Sequence, residues 1–329
     1  MLKTAISMAL LFCTLQASTS FAANDELESW RISNKGGESW RESWPEVEPL
    51  STTMVANDLY MVHGVGGTVA VLTGPQGTLL VDSGHFRVIE SRLFPIVDKL
   101  SKNQPVRYII NTHGHGDHGA GNTHYLKQGA IAIAHPSVRD EFVDAPPHYP
   151  PLPPEGLPQI TLKQSLTLHF NNQDIDLLVV PFGHSKGDLV VYFRKQNVVH
   201  TGDIFITSGY VSVAGMYKDP KGAAMGLLAA QKKALSFGDK STRYITGHSR
   251  GVVLSRSEIE KDHRMLATVL SRIQNGIDKG LTLDEIKATH PTKEFDEIYS
   301  WPGMSPKRTV ENYYYGIVGS PPAHKRRFK

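Results

Sequence analysis

The sequence has one cysteine, little net charge and, after its first 23 residues, no apolar run long enough to cross a membrane. Cys13 alone cannot form an intramolecular disulfide, and it excludes thiolate-rich zinc sites and iron–sulfur clusters. The formal charge of +3 gives no electrostatic footprint for nucleic acid or an anionic membrane. With 40% apolar residues among 329, a sizeable core can form. The 15 histidines are therefore the obvious candidates for metal ligands.

Residues 1–23 are predicted to be a secretory signal peptide. A basic residue stands near the start, Ala5 to Ala17 are apolar but too short for a comfortable membrane span, and small residues follow. A lipoprotein signal using Cys13 is disfavoured, because the residue before it is bulky where a small one is expected. We expect cleavage near Ala22 or Ala23 and an exported, periplasmic protein.

The rest of the chain is predicted to comprise an arm, one catalytic domain and a tail. The arm, residues 24–50, repeats Glu-Ser-Trp three times and holds three of the four tryptophans, the last being Trp44. Docking of the arm on the main body is favoured over a role in contacting substrate. Residues 51–320 contain no stretch that resembles an interdomain linker, which predicts one domain. The basic run at 321–329 is interpreted as a solvated tail.

Hydrophobic patterns predict a layered α/β fold. Short β-rich runs between glycine-containing turns predict strands at Leu59–His63, Thr68–Leu72 and Thr78–Asp82. A helical period predicts a helix over Phe86–Ser101, and the apolar run Val106–Ile110 predicts a buried strand after it. Further strands follow in the middle of the chain, and helices dominate towards its end. Strand, helix and strand in succession indicate an α/β protein.

Three histidines and an aspartate lie within six positions directly after the strand that ends at Ile110. They are His113, His115, Asp117 and His118, separated in part by glycine. Glycine lets the backbone turn sharply, so imidazoles two positions apart can converge on one ion. The adjacent Asp117 and His118 can then be directed elsewhere, which suggests more than one metal ion.

Three further candidate ligands each follow a predicted strand beside a glycine. They are His184, Asp203 and His248. Strand ends gather on one edge of a sheet, so these residues can join the first cluster. Five imidazoles and two carboxylates without a thiolate suit two zinc ions, or less often iron or manganese, with one carboxylate able to bridge them.

Taken together, these residues resemble the metallo-β-lactamase superfamily. Its signature His-x-His-x-Asp-His is matched by His113, His115, Asp117 and His118. The resemblance spans roughly residues 59–249. It implies an αββα sandwich of two mixed β-sheets flanked by helices, with the metal ions in a shallow groove at one edge.

The same resemblance implies a role for each candidate residue. The ligands of the first ion would be His113, His115 and His184. The ligands of the second ion would be Asp117, His118 and His248. Asp203 matches the family's bridging aspartate. Asp82 matches an aspartate that ends an early strand and hydrogen-bonds a ligand imidazole, which fixes the tautomer of that imidazole.

This arrangement predicts metal-assisted hydrolysis of a small molecule. Two cations about 3.5 to 4 Å apart would lower the pKa of a shared water, so that a bridging hydroxide is the nucleophile at neutral pH. One ion would polarise a carbonyl and the other would stabilise the leaving group, while Asp117 is placed to shuttle the proton. Nucleic-acid processing is disfavoured by the near-neutral charge.

The expected bond is an ester, thioester, lactone or amide. β-Lactamase subclasses with a cysteine ligand are excluded because the mature chain has none. The subclass with Asp, His and His at the second ion usually lacks a bridging aspartate, so Asp203 favours relatives that resemble glyoxalase II and lactonases. Ile206 stands where acyl-homoserine lactonases place a tyrosine, and neither specific name fits. A class B-type β-lactamase and a mononuclear-iron persulfide dioxygenase stay as alternatives.

Two segments are expected to face the substrate. One is the glycine-rich stretch Tyr60–Gly67, and the other is the proline-rich loop around His148, Tyr149 and Leu152. Their apolar and aromatic residues predict a neutral or weakly anionic substrate with an apolar arm.

Overall fold

The computed structural model describes residues 44–145, 149–213 and 220–319. The predicted signal peptide, most of the predicted arm, the predicted basic tail and His148 lie outside the described residues. The described residues form two mixed β-sheets with helices on their outer faces. The predicted αββα sandwich is confirmed.

The first sheet has seven strands, which lie side by side in chain order. Its first four strands pair antiparallel, and the last four pair parallel. The strands are β1 (Ser51–Ala56), β2 (Leu59–His63), β3 (Val69–Leu72), β4 (Thr78–Val81), β5 (Val106–Ile110), β6 (Ile131–Ala134) and β7 (Ile160–Thr161).

The second sheet has six strands, in the order β13-β12-β11-β10-β9-β8. All neighbours pair antiparallel except β11 and β12, which are parallel. The strands are β8 (Leu166–Phe170), β9 (Gln173–Pro181), β10 (Gly187–Phe193), β11 (Val198–His200), β12 (Arg243–Ile245) and β13 (Leu254–Ser255).

Helices cover both outer faces, and the longer ones follow the last strands of the second sheet. In chain order they are α1 (Phe94–Ser101), α2 (Gly116–Gly119), α3 (Asn122–Lys127), α4 (Pro136–Val143), α5 (Ala223–Ala234), α6 (Arg256–Asp278), α7 (Leu283–Ala288), α8 (Asp296–Tyr299) and α9 (Pro306–Val318). No helix in the described ranges is both long and apolar enough to cross a membrane.

Three buried apolar clusters hold these layers together. The central cluster lies between the sheets and joins residues such as Met61 and Leu72 of the first to Leu177 and Val191 of the second. A second cluster packs α1 and α3 on the outer face of the first sheet, and a third packs α5, α6 and α9 on the second. Burial of apolar surface in these three layers fixes both sheets and so fixes their common edge.

One predicted helix begins later than its apolar period suggests. The period starts near Phe86, but α1 begins at Phe94, after a single π-helical turn at Ile89–Leu93. Pro95 lies in the first turn of α1. Proline lacks a backbone N–H and clashes with the preceding turn, so it is accepted only where a helix starts.

Candidate metal centre

The structure brings all seven predicted ligands together where several strands end. The loop after β5 carries His113 and His115 and runs into α2, which holds Asp117 and His118. The other three ligands come from the second sheet. His184 lies in the turn between β9 and β10, Asp203 follows β11, and His248 follows β12. The ligand atoms form two groups, and within each group they lie within 4.8 Å of one another.

The first group consists of His113, His115 and His184, with Asp203 beside them. Nδ1 of His115 lies 2.9 Å from Nε2 of His113 and 3.1 Å from Nε2 of His184. Three ring nitrogens therefore converge on one point. Such a nitrogen set suits zinc, and also copper, iron or nickel.

Hydrogen bonds on the far side of these rings direct their lone pairs inward. Nδ1 of His184 lies 2.8 Å from the carbonyl oxygen of Ser212, to which it donates. Nδ1 of His113 lies 3.0 Å from Oγ1 of Thr112, whose hydroxyl already donates to Asp82 and so accepts from the ring. His113 and His184 are thus held with Nδ1–H outward and the Nε2 lone pair facing the group, whereas His115 faces the group with Nδ1.

The second group consists of Asp117, His118 and His248. Oδ2 of Asp117 lies 3.5 Å from Nε2 of His118 and 3.4 Å from Nε2 of His248. The group therefore combines two imidazoles with one carboxylate, whereas the first combines three imidazoles with the carboxylate of Asp203.

Asp203 faces both groups. Its Oδ2 lies 3.6 Å from Nε2 of His184 in the first group and 3.3 Å from Nε2 of His248 in the second. Its Oδ1 lies 3.4 Å from Nε2 of His118. A carboxylate in this position can share its two oxygens between two cations.

Asp82 holds His118 in place from behind. Its Oδ2 lies 2.8 Å from Nδ1 of His118, and both its oxygens accept hydrogen bonds from Thr112, one from the backbone N–H and one from the hydroxyl. Asp82 is fully buried and has a φ of +64°, a strained conformation for a residue with a side chain. The fold keeps this strain where it orients a ligand imidazole, as the sequence predicts.

Two glycines allow the ligands to lie against the backbone. A Cβ atom at Gly67 would overlap the ring of His118, and one at Gly247 would overlap Oδ1 of Asp203. Alanine at either position would therefore displace a ligand of the centre.

The pKa shifts distinguish His113 and His115 of the first group from His118 of the second. Burial, together with neighbouring imidazoles, lowers the pKa of His115 to about 3 and that of His113 well below its usual value. Burial opposes ionisation of Asp203, but the imidazoles of His248 and His118 hold its pKa well below the usual range. Burial also opposes protonation of His118, yet Asp203, Asp117 and Asp82 raise its pKa to about 10. Asp203 and Asp117 are therefore ionised beside the neutral imidazoles of His113 and His115, an environment that attracts a divalent cation, whereas His118 carries a proton that metal binding would release.

Two buried atoms at the meeting point of the groups have no hydrogen-bond partner. They are Nε2 of His118 and Oδ1 of Asp203. An unpaired buried polar atom costs about 1 to 3 kcal/mol, so such atoms mark a place where a partner binds. The residues present therefore fit a metal centre of up to two ions.

Several contacts of the centre were not predicted from the sequence. The hydroxyl of Tyr149 donates to Oδ1 of Asp117 over 2.9 Å, and Thr112 supports both Asp82 and His113. The sequence feature that could have pointed to Thr112 as a supporting residue is its position directly before the histidine cluster. Tyr149 was expected to face the substrate, but nothing local in the sequence pairs it with Asp117.

Other residues near the cluster have packing roles. Tyr210 lies in the helical layer, where its hydroxyl donates to Oδ1 of Asp296 over 2.9 Å. His200 is buried, and its Nε2 lies 3.2 Å from the carbonyl oxygen of Thr68. The stretch Tyr60–Gly67, expected to face the substrate, forms β2 and a buried turn whose Gly67 lies against His118. This stretch therefore packs against the predicted ligand His118.

The sequence matches the family model of the metallo-beta-lactamase superfamily over residues 63–248, more than half of the chain. The chain belongs to the metallo-β-lactamase superfamily. The matched range contains Asp82 and all seven predicted ligands. With its His/Asp cluster and its hydrolase relatives, the chain is a metal-dependent hydrolase of this superfamily.

Two curated relatives of this superfamily protein are similar over part of their length. The chain is 25% identical over 192 residues to the hydroxyacylglutathione hydrolase of Pelagibacter ubique (strain HTCC1062), covering 57% of this chain and 71% of that protein. It is 28% identical over 144 residues to the probable metallo-hydrolase YybB of Bacillus subtilis (strain 168), covering 39% of this chain and 57% of that protein.

Solved structures of low identity share the fold. A metallo-beta-lactamase from Pontibacter korlensis has a TM-score of 0.55 at 17% identity, covering 67% of this chain and 99% of that one. The sec-alkylsulfatase Pisa1 from Pseudomonas sp. has a TM-score of 0.59 at 15% identity, covering 80% of this chain and 50% of that one. These two proteins differ in their named activities, so the likeness concerns architecture alone.

Proposed function

We propose that this superfamily member is a dinuclear zinc hydrolase that cleaves an ester, thioester, lactone or amide bond of a small molecule. The position of Asp203 carries the proposal. Its two oxygens lie 3.3 to 3.8 Å from ligand nitrogens of both groups, so one carboxylate serves two cation positions. A centre for one ion would have no need of a second ligand group across this carboxylate.

The chain's own residues hold the centre and move the proton. Bound zinc ions would supply Lewis acidity and an activated water. Asp82 and Thr112 orient His118 and His113, so the ligand nitrogens need little rearrangement. Burial opposes ionisation of Asp117, but His118 and His248 lower its pKa, so this carboxylate is ionised at neutral pH. Held by the Tyr149 hydroxyl, Asp117 is placed to accept a proton and return it to the leaving group.

An acyl thioester or ester is the substrate class favoured within this proposal. The presence of Asp203 distinguishes the chain from β-lactamases of the Asp-His-His type. The relative from Pelagibacter ubique is named as a hydrolase of hydroxyacylglutathione, which is a thioester. Both points support acyl transfer to water from a sulfur or oxygen leaving group.

The test is steady-state hydrolysis by the chain after chelation and after reloading with zinc. The panel contains an acyl thioester, a lactone, a simple ester and nitrocefin, a chromogenic cephalosporin. We expect kcat/KM above about 10⁴ M⁻¹s⁻¹ for a thioester or ester, lost on chelation and restored by two equivalents of zinc. Turnover of nitrocefin alone would make the chain a β-lactamase despite Asp203. Full activity with one equivalent of metal would contradict a dinuclear mechanism.

We also propose that the protein is exported. This rests on the sequence of residues 1–23 alone. Expression in a Gram-negative host, followed by mass spectrometry of the periplasmic fraction, should give a chain that begins after Ala22 or Ala23. An uncleaved chain confined to the cytoplasm would contradict it.

A further inference from the structure

The metal centre opens to solvent at two of its ligands. His115 and His248 are partly exposed, whereas the other five ligands are buried. The side chain of His248 is 22% exposed. Because a substrate must reach the centre through this opening, the side chains beside His248 decide which groups fit next to the reacting bond.

An aromatic wall, consisting of Trp44, His85, Phe86 and Tyr149, borders this opening. The ring of Trp44 lies 6.0 Å from that of the ligand His248 and 5.2 Å, edge to face, from that of His85. His85 stacks on Phe86 at 4.6 Å and meets Tyr149 at 5.5 Å. Tyr149 in turn donates to Asp117. The wall therefore runs without interruption from one ligand of the second group to another.

Polar atoms of two wall residues are hydrogen-bonded within the protein. The Trp44 side chain hydrogen-bonds the buried Glu48, and Nδ1 of His85 accepts the backbone N–H of Arg87 over 3.2 Å. Trp44 is partly exposed and Phe86 is 39% exposed, whereas His85 is buried and packs against both rings, so the apolar surface available to a ligand comes from Trp44 and Phe86. Such surfaces bind planar or aliphatic apolar groups.

Arg92 holds the segment that carries Trp44. Nη1 of Arg92 donates to the carbonyl oxygens of Glu48 over 3.0 Å, of Gly64 over 2.8 Å and of Pro45 over 3.4 Å. Nη2 donates to the carbonyl oxygen of Glu46. One guanidinium thus ties residues 45–48 to the turn after β2. This attachment holds the indole in position before any substrate arrives.

We propose that the aromatic wall is the subsite for an apolar, aryl-sized arm of the substrate, with Trp44 as its principal specificity-determining residue. The proposal rests on the proposed hydrolase function, and it gives this part of the arm a substrate-contacting role, whereas the sequence favours docking of the arm on the main body. The apolar arm packs against the partly exposed Trp44, which the buried His85 supports edge to face, while the scissile carbonyl lies at the two ligand groups.

The test compares thioesters that differ in one arm only. Acetyl and phenylacetyl thioesters of N-acetylcysteamine vary the acyl side, and S-ethyl and S-benzyl thioacetate vary the leaving side. Zinc-loaded wild type should prefer the aryl member of at least one pair. Trp44→Ala should reduce this ratio of kcat/KM values about tenfold, and Arg92→Ala should reduce it in the same pair.

Val47→Ala is the matched control. Val47 lies in the same segment but is 55% exposed and is not part of the wall, so its variant should keep the wild-type ratio. An unchanged ratio in Trp44→Ala would overturn the proposal. So would a fall that accompanies loss of zinc, because Trp44 would then act through His248.

A binding measurement separates this proposal from the proposed function. Isothermal titration calorimetry measures the affinity of the zinc-loaded chain for phenylacetate and for acetate, and it needs no turnover. We expect phenylacetate to bind more tightly than acetate, and Trp44→Ala to remove about a tenfold preference. If no thioester is hydrolysed but this preference is present, the hydrolase assignment fails and the subsite stands. If thioesters are hydrolysed but phenylacetate and acetate bind equally well, the hydrolase assignment stands and the subsite proposal fails.

Discussion

The candidate metal centre lies at the edge where several strands end, and a layer of helices covers the second sheet. Both regions hold polar side chains away from solvent, but these side chains differ in their hydrogen-bond partners. In the helical layer the polar groups pair with one another: the hydroxyl of Tyr299 donates to Oδ1 of Asp262 over 2.6 Å, and Tyr210 donates to Asp296. At the edge, Nε2 of His118 and Oδ1 of Asp203 are buried without a hydrogen-bond partner.

The same contrast appears in the charges of buried carboxyl groups. Burial raises the pKa of Asp262 to about 7, so this group is largely neutral in a slightly acidic medium. Asp203 is also buried, but His248 and His118 hold its pKa well below the usual range. The carboxyl groups of the helical layer are paired by tyrosine hydroxyls, whereas the edge holds candidate ligands that cations would pair. Substitutions at the edge should therefore change activity, and substitutions in the helical layer should change stability.

The largest effect is expected for Asp203→Ala. This variant removes the only predicted ligand that faces both groups, so kcat/KM should fall by more than the roughly 100-fold loss typical of outer-shell variants. Zinc content, measured by atomic emission, should fall from two ions towards one. Asp203→Glu is the control for charge at this position. Wild-type activity in Asp203→Ala would show that catalysis does not need a carboxylate between the two ligand groups.

Asp82→Asn should have the next largest effect. Asparagine can still accept from Thr112, but it no longer places a charged oxygen against Nδ1 of His118. Loss of such an outer partner lowers metal affinity or activity roughly 10- to 100-fold. Competition with a zinc chelator measures the affinity, and Thr112→Ser, which keeps the hydroxyl, is the control. Equal zinc affinity in Asp82→Asn and wild type would show that His118 needs no such support.

Tyr149→Phe should have a smaller effect. It removes one hydrogen bond to Asp117 and keeps the aromatic ring of the wall. A hydrogen bond to a charged group is worth about 1.5 kcal/mol at the low end of its usual range, which corresponds to about a tenfold loss in kcat/KM. The preference for aryl substrates should persist. A loss of this preference in Tyr149→Phe would mean that the hydroxyl, rather than the ring, selects the substrate.

Asp262→Asn should leave activity unchanged and alter only the pH dependence of stability. Burial raises the pKa of folded Asp262 from 3.8 to about 7, so between these values the folded state holds a proton that the unfolded state has released. The free energy of unfolding then falls as pH rises through this window, by at most about 1.4 kcal/mol per pH unit for one group. Asparagine should remove this contribution.

Urea denaturation between pH 4 and 8 measures the free energy of unfolding of wild type and Asp262→Asn as a function of pH. An equal slope in the two proteins would show that Asp262 is ionised in the folded state, and the proposed contrast between the two buried carboxyl groups would be lost. A fall in kcat/KM would show that the helical layer also determines activity.

Much of the fold could be predicted because local patterns specify it. Strand β2 spans the predicted Leu59–His63, and β5 spans the predicted Val106–Ile110. Four of the seven candidate ligands also stand out, since glycine and histidine alternate directly after a buried strand. These signals lie within a few residues of one another.

Contacts between distant parts of the chain could not be predicted in the same way. Trp44 reaches His248 across more than half of the sequence, and Tyr149 reaches Asp117 across 32 positions. Which side chains meet there depends on sheet register and on how the layers pack, and no local pattern records either. The sequence therefore indicates the chemistry of the centre better than the shape of the groove beside it.

The most direct test of the account is anomalous diffraction at the zinc edge from a crystal of the zinc-loaded chain. We predict two peaks about 3.5 to 4 Å apart, on either side of the Asp203 carboxylate. One peak should lie among His113, His115 and His184, and the other among Asp117, His118 and His248. A single peak, with the second group hydrogen-bonded and free of metal, would contradict the dinuclear centre.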